Sequence, residues 1–74
     1  MTAQEFRILQ VFVRNAGRVL SRAQLIDGAW GPGMSITDRA VDTHVFNLRK
    51  KIEPDPAAPC FLISVRGLGY RFQP

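Results

Sequence analysis

The sequence predicts a mainly α domain with a small antiparallel β-sheet, built as three helices followed by a C-terminal hairpin. Three observations predict it. Two boxes of the Ser/Thr-x-x-Glu/Gln kind, Thr2-Ala-Gln-Glu5 and Ser21-Arg-Ala-Gln24, mark helix starts. Val41, Val45, Leu48 and Ile52 recur at spacings of four, three and four, which puts them on one stripe of a third helix. Finally, two short apolar runs, Phe61–Val65 and Tyr70–Phe72, flank the turn Arg66-Gly-Leu-Gly69.

Length and composition bound what such a fold can do. A chain of 74 residues with 46% hydrophobic content forms one domain with a modest core, worth roughly 3–5 kcal/mol net at this size. Ten Lys and Arg against six Asp and Glu leave a net charge of +4, which favours anionic partners. In the second half, Arg39, Arg49, Lys50, Lys51, Arg66 and Arg71 are opposed only by Asp38, Asp42, Glu53 and Asp55. A single cysteine, Cys60, excludes an internal disulfide and a Cys-based zinc site, and no cofactor is expected. No stretch reads as a signal peptide or approaches the roughly 20 apolar residues of a membrane helix, so the expectation is a cytoplasmic protein with no membrane partner.

Helix one is expected over 3 to about 15. Thr2 and Glu5 cap it reciprocally, Phe6, Ile8, Leu9, Phe12 and Val13 supply its core face, and Gly17 stops it. Arg18–Leu20 is a brief extended segment. Ser21 opens a short helix through Ala29 that turns Leu25, Ile26 and Ala29 inward, with Trp30 packing at its end. Gly31-Pro-Gly-Met-Ser-Ile36 is a turn-rich loop. Thr37 or Asp38 then caps helix three, which Pro54 ends. Glu53-Pro-Asp-Pro-Ala-Ala-Pro59 is a stiff, exposed connector into the hairpin.

Helix three has a dry stripe and, opposite it, Arg39, Thr43, Phe46, Asn47 and Lys50, with His44 and Lys51 flanking. That outer face reads either as a groove reader or as a solvated basic face. Two helices joined by a turn, the second basic outside, follow the logic of a helix-turn-helix, and a hairpin with an arginine at its tip reads as a wing. The fold class is thus a winged helix-turn-helix.

The ordered motifs Thr2-x-x-Glu-Phe6, Gly-Arg-Val-Leu-Ser-Arg22, Leu-Ile-Asp-x-x-Trp30, Asp-Arg-x-Val-Asp-x-His44, Leu-Arg-Lys-Lys-Ile52 and Val-Arg-Gly-x-Gly-Tyr-Arg-Phe72 span nearly the whole chain. Together they resemble the winged-helix effector domain of OmpR/PhoB-type bacterial response regulators. The resemblance implies that helix three enters the major groove of double-stranded DNA and that the wing tip approaches the minor groove. It implies that Arg18–Leu20 pairs with the hairpin, and that Gly31, Pro32, Gly33, Met34, Ser35 and Ile36 form a loop contacting RNA polymerase. A receiver domain, its sensor kinase and a dimer on DNA are further implications for a parent protein. The chain departs from the family pattern in lacking the N-terminal four-stranded sheet and the receiver domain. Phe46 and Thr43 also replace residues more usual at those positions.

The resemblance and the residue chemistry together nominate Arg39, His44, Lys50, Ser64, Tyr70 and the backbone N–H of Gly67 for phosphate contact. Thr43 shares the DNA-facing surface. Asn47 is the candidate base reader, since its amide can pair with adenine for roughly 1–3 kcal/mol of discrimination. Arg66 suits a narrow minor groove. Phe46 stays open between a thymine methyl, a patch covering apolar surface, the missing sheet and a second subunit. His44 has a rival reading as a half-buried histidine bonded to a neighbour, and Tyr70 as a ring packed in the hairpin. Asp42 is expected to orient a nearby arginine. The competing function is a winged helix used for protein interaction. An enzyme is not expected, because Asp42, His44, Cys60 and Ser64 form no catalytic grouping.

Overall fold

The computed structural model describes residues 1–74 and contains, in chain order, α1 (Ala3–Arg14), β1 (Val19–Leu20), α2 (Arg22–Ala29), α3 (Asp38–Ile52), β2 (Leu62–Val65) and β3 (Gly69–Phe72). Each helix starts at an expected cap. Ser21 Oγ accepts from the Gln24 N–H at 3.1 Å while Gln24 Oε1 accepts from the Ser21 N–H at 2.8 Å, so that box closes on both sides. Thr37 caps α3 by accepting from the Ala40 N–H at 3.1 Å, with Asp38 in the first turn.

The first box forms only by half. Thr2 Oγ1 accepts from the Glu5 N–H at 3.2 Å, but the Glu5 carboxylate turns away to pair with the Lys51 ammonium at the far end of α3. Glu5 is 5% exposed. A group expected to satisfy one local N–H instead joins α1 to α3, because a buried carboxylate gains more from a cation than from a neutral amide.

The core gathers Ile8 and Phe12 from α1, Leu20 from β1, Leu25 and Ala29 from α2, Val41, Val45 and Leu48 from α3, Leu62 from β2 and Tyr70 from β3. Trp30, Ile26 and Ile52 pack on its margin. Two expected core residues are not in it: Phe6 and Val13 are 53% and 54% exposed. The helix period is right, but α2 and α3 meet α1 only along the Ile8–Phe12 side. The remaining apolar surface of α1 forms an open groove in which Leu9 and Val13 face Ile52, Phe61 and Phe72.

The sheet runs β1-β3-β2, all antiparallel, so the returning strand of the hairpin lies in the middle. Leu20 pairs with Tyr70, and Ser64 pairs with Tyr70 from the other side. The hairpin turn closes through the Leu68 N–H to the Val65 carbonyl at 3.0 Å, with Gly67 at φ +78°. Gly69 is required for a different reason. A Cβ built there would lie 2.0 Å from the Leu20 carbonyl oxygen, and its φ is +141°. β1 can approach the hairpin this closely only across a glycine.

The proline connector is held more firmly than a stiff, exposed linker. Glu53 is 6% exposed, and its carboxylate accepts from the N–H groups of Cys60, Phe61 and Leu62 at 2.8–3.1 Å. One side chain thereby fixes where the chain re-enters the sheet after α3. Burial pushes the Glu53 carboxyl up, but those three amides outweigh burial and hold it below its ordinary value of 4.5. The Lys51 hydrogen bond likewise holds Glu5 below 4.5.

Because both folded-state values are depressed, the ionised forms favour the fold. Their contribution is fully present above pH 4.5 and is lost as pH falls through the lower folded-state values. Thermal melts are expected to be flat from neutral pH down to about 5 and to fall below it, with Glu53→Gln melting lower at neutral pH and showing a shallower acid decline. Gly69→Ala is expected to cost on the order of 3 kcal/mol or more, visible as a lower denaturant midpoint, because both backbone strain and the Leu20 carbonyl oppose the new methyl.

Candidate nucleic-acid interface

Successive residues of α3 step by about 100° around its axis. With Val41, Val45 and Leu48 fully buried, Arg39, Thr43, Phe46 and Lys50 are thrown outward, all exposed, and Asn47 sits half-buried at their margin. Thr43 Oγ1 donates to the Arg39 carbonyl at 3.0 Å. Its hydrogen is therefore spent within the helix, and it offers a methyl and oxygen lone pairs outward. The Lys50 ammonium lies 4.6 Å from the centre of the Phe46 ring.

The flank of α3 facing the hairpin is a junction. Asp42 accepts two hydrogen bonds from Arg22 of α2, Nε to Oδ1 at 2.9 Å and Nη2 to Oδ2 at 3.2 Å, and a third from the Tyr70 hydroxyl of β3. The Arg22 hydrogen bonds, with Tyr70 adding to them, hold the Asp42 carboxyl below its usual range, against the opposing effect of burial. Burial first and Asp42 second push the Tyr70 hydroxyl up. Arg49 completes the junction: its guanidinium donates to the Leu62 carbonyl at 2.7 and 3.0 Å and to Ser64 Oγ at 2.9 Å. Both guanidinium groups sit against the Tyr70 ring, at 5.8 Å for Arg22 and 5.5 Å for Arg49.

Asp42 thus orients an arginine as expected, and the arginine is Arg22, twenty residues away. Tyr70 differs from its nomination as a free phosphate donor: it is 6% exposed and its hydroxyl hydrogen is committed to Asp42, because a buried phenol needs an acceptor. Ser64 is exposed and already accepts from Arg49. His44 is half-buried, and the neighbour it leans on is the Trp30 ring, edge to face at 5.2 Å, rather than a hydrogen-bond acceptor.

At the wing tip Arg66 and Gly67 are exposed, and Leu68 projects there at 64% exposure. Arg22, Ser64, Arg66 and Tyr70 share a shallow depression between α2 and the wing, and Arg39, Phe46 and Arg49 share a second one beside it. The two ion pairs of the domain consume Arg22 and Lys51, leaving the charges of Arg39, Lys50 and Arg66 unpaired on one continuous side. Arg22 and Leu68 belong to this surface and went unnoticed in the sequence. The loop 31–36 lies apart from it between α2 and α3, with Gly31 and Gly33 at positive φ, Met34 exposed and Ile36 packed on the core margin.

Three helices, a short strand between the first two and a hairpin wing beside an outward-facing basic helix define a winged helix-turn-helix domain. Residues 1–72 match the family described as the C-terminal domain of transcriptional regulatory proteins, and the chain belongs to that family, in its OmpR/PhoB response-regulator branch. It is 50% identical over 70 residues to the sensory transduction protein RegX3 of Mycobacterium tuberculosis, which covers 95% of this chain and 31% of that protein. The chain therefore spans about a third of the length of such relatives. The response regulator DrrB of Thermotoga maritima, an OmpR/PhoB homologue, superimposes with a TM-score of 0.88 at 35% identity, covering 100% of this chain and 33% of that one. The DNA-binding domain of Klebsiella pneumoniae RstA, solved with the RstA box, gives 0.85 at 29% identity, covering 99% of this chain and 72% of that one. The family is one of regulators, not enzymes. No helix is long and apolar enough to cross a membrane.

Asp42→Ala is expected to strand the Tyr70 hydroxyl and release Arg22, lowering stability by about 1–3 kcal/mol, or roughly 4–20 °C in melting temperature for a domain this small. Circular dichroism melts would check it, with Asp42→Asn expected to fall between the two.

Proposed function

We propose that this domain binds double-stranded DNA sequence-specifically, as the output module of a two-component transcriptional regulator. The observation that carries the reading is the set of unpaired cations Arg39, Lys50 and Arg66, divided between the outward face of α3 and the tip of the wing. Phosphates attract cations that have no internal partner, and two separated elements fix the register of a duplex better than one. The related RstA domain was solved in complex with the RstA box, which supports a DNA-binding reading; within that reading α3 enters the major groove and the wing approaches the minor groove.

Within this reading Arg39, Lys50 and the Gly67 N–H contact phosphates, Arg66 enters the minor groove and Asn47 reads a base edge. Thr43 and His44 line the approach of the backbone, and Ser64 and Tyr70 act through the arginines they hold. Residues 1–74 serve as the winged-helix unit of a cytoplasmic bacterial regulator whose receiver domain answers to a sensor kinase. The family's N-terminal sheet is the proposed cover for the open apolar groove of α1. The loop 31–36, standing clear of the DNA-facing side, is the proposed contact with RNA polymerase, and pairs of domains occupy adjacent half-sites. DNA complexes among the related domains favour this reading over a protein-interaction role for the same face.

Three cations brought to the duplex, Arg39, Lys50 and Arg66, predict that log affinity falls with log salt at a slope of about −2.7. Arg39→Ala and Arg66→Ala should each weaken binding and make that slope shallower by about 0.9. Asn47→Ala should mainly relax base preference at one position. Titrations of a selected duplex from low to moderate salt test this, and an affinity insensitive to both salt and Arg39 would overturn it.

A further inference from the structure

We infer that Phe46 is a specificity-determining residue that reads the 5-methyl group of a thymine in the major groove. The inference rests on the DNA-binding reading above and adds to it the base that the centre of α3 selects.

An aromatic ring 53% exposed in the middle of a polar helix face needs an explanation, and the fold removes two of the candidates. Phe46 does not cover apolar surface, because its depression is lined by Arg39, Asp42, Thr43, Arg49 and Tyr70, of which only Tyr70 is apolar and is already sealed in the core. Nor does it serve whatever covers the open groove of α1. That groove runs past Ile52, which lies about 120° around the axis of α3 from Phe46 and so on a different face.

The residues around the ring narrow the remaining choices. Phe46 is flanked by the unpaired cations Arg39 and Lys50, and the Lys50 ammonium already occupies one side of the ring at 4.6 Å. A protein partner would have to bring carboxylates and an apolar knob together in that spacing. Duplex DNA brings its phosphates to the cations and, on the major-groove edge of its bases, exposes a single apolar group, the thymine methyl. An apolar ring gains nothing from the donors and acceptors of the other bases and desolvates them without compensation. Phe46 therefore selects for thymine by attraction and against cytosine and the purines by unpaired polar edges.

The test begins with enrichment of bound sequences from a random duplex library, followed by replacement of each thymine of the enriched site by deoxyuridine, one at a time. Deoxyuridine deletes only the methyl. At one thymine per half-site the wild-type chain should lose about threefold to fivefold in affinity, the worth of one buried methyl group. Phe46→Ala should lose nothing on the same replacement, and Phe46→Leu should retain part of the loss. Because the ring lies outside the core, both variants should melt with the wild type. Deoxyuridine tolerated at every thymine by the wild type would overturn the inference, as would an equal loss in Phe46→Ala. Failure to enrich any sequence would instead remove the DNA-reading role, and the methyl contact with it.

Discussion

The carboxylate of Asp42 is the point on which the geometry of the domain turns. It stands on α3 and is held at once by Arg22 at the start of α2 and by the Tyr70 hydroxyl in the central strand of the sheet. Three elements, α2, α3 and β3, are thereby referred to one functional group. A domain of 74 residues has little core with which to fix the angle between its helix and its wing. Directional, charge-assisted hydrogen bonds supply what packing area cannot. Arg49 repeats the device two turns along, tying α3 to Leu62 and Ser64 on the other strand of the hairpin. The carboxylates of Glu5, Asp42 and Glu53 are used for construction, while the cations Arg39, Lys50 and Arg66 face outward.

The fold was largely legible in the sequence because its local signals agree with one another. The Ser21 box, the stripe of α3 and the glycine turn of the hairpin each depend on residues a few positions apart, and each formed as read. What the sequence hid depends on residues brought together from a distance. Glu5 looks like a cap until Lys51, 46 residues away, claims it. Glu53 looks like the residue before a proline until the chain entering β2 presents three amides to it. Arg22 looks like a solvated first-turn residue until Asp42 arrives beside it. Periodicity likewise places Phe6 and Val13 on the apolar half of α1, but only the directions from which α2 and α3 approach decide which part of that half is covered.

The candidate interface shows the same division. Arg39, Lys50 and Arg66 could be picked out as charges, and Asn47 as an amide on an outward face, from spacing alone. Whether a charge is free could not be read, because that depends on where every carboxylate goes. Tyr70 illustrates the point: its hydroxyl is polar and adjacent to the wing, yet the acceptor that engages it comes from a helix 28 residues earlier.

Leu62 carries a consequence for how the domain behaves in company. It belongs to β2, one of the two outer strands of the sheet, and an unpaired outer strand is an open template for another chain. Here the Leu62 N–H is taken by Glu53, which follows the end of α3, and its carbonyl by Arg49 of α3. Two side chains occupy the hydrogen-bonding positions that a neighbouring strand would need. The same bonds that seat the wing therefore leave Leu62 with no free hydrogen-bonding position for a strand of a second domain to pair with.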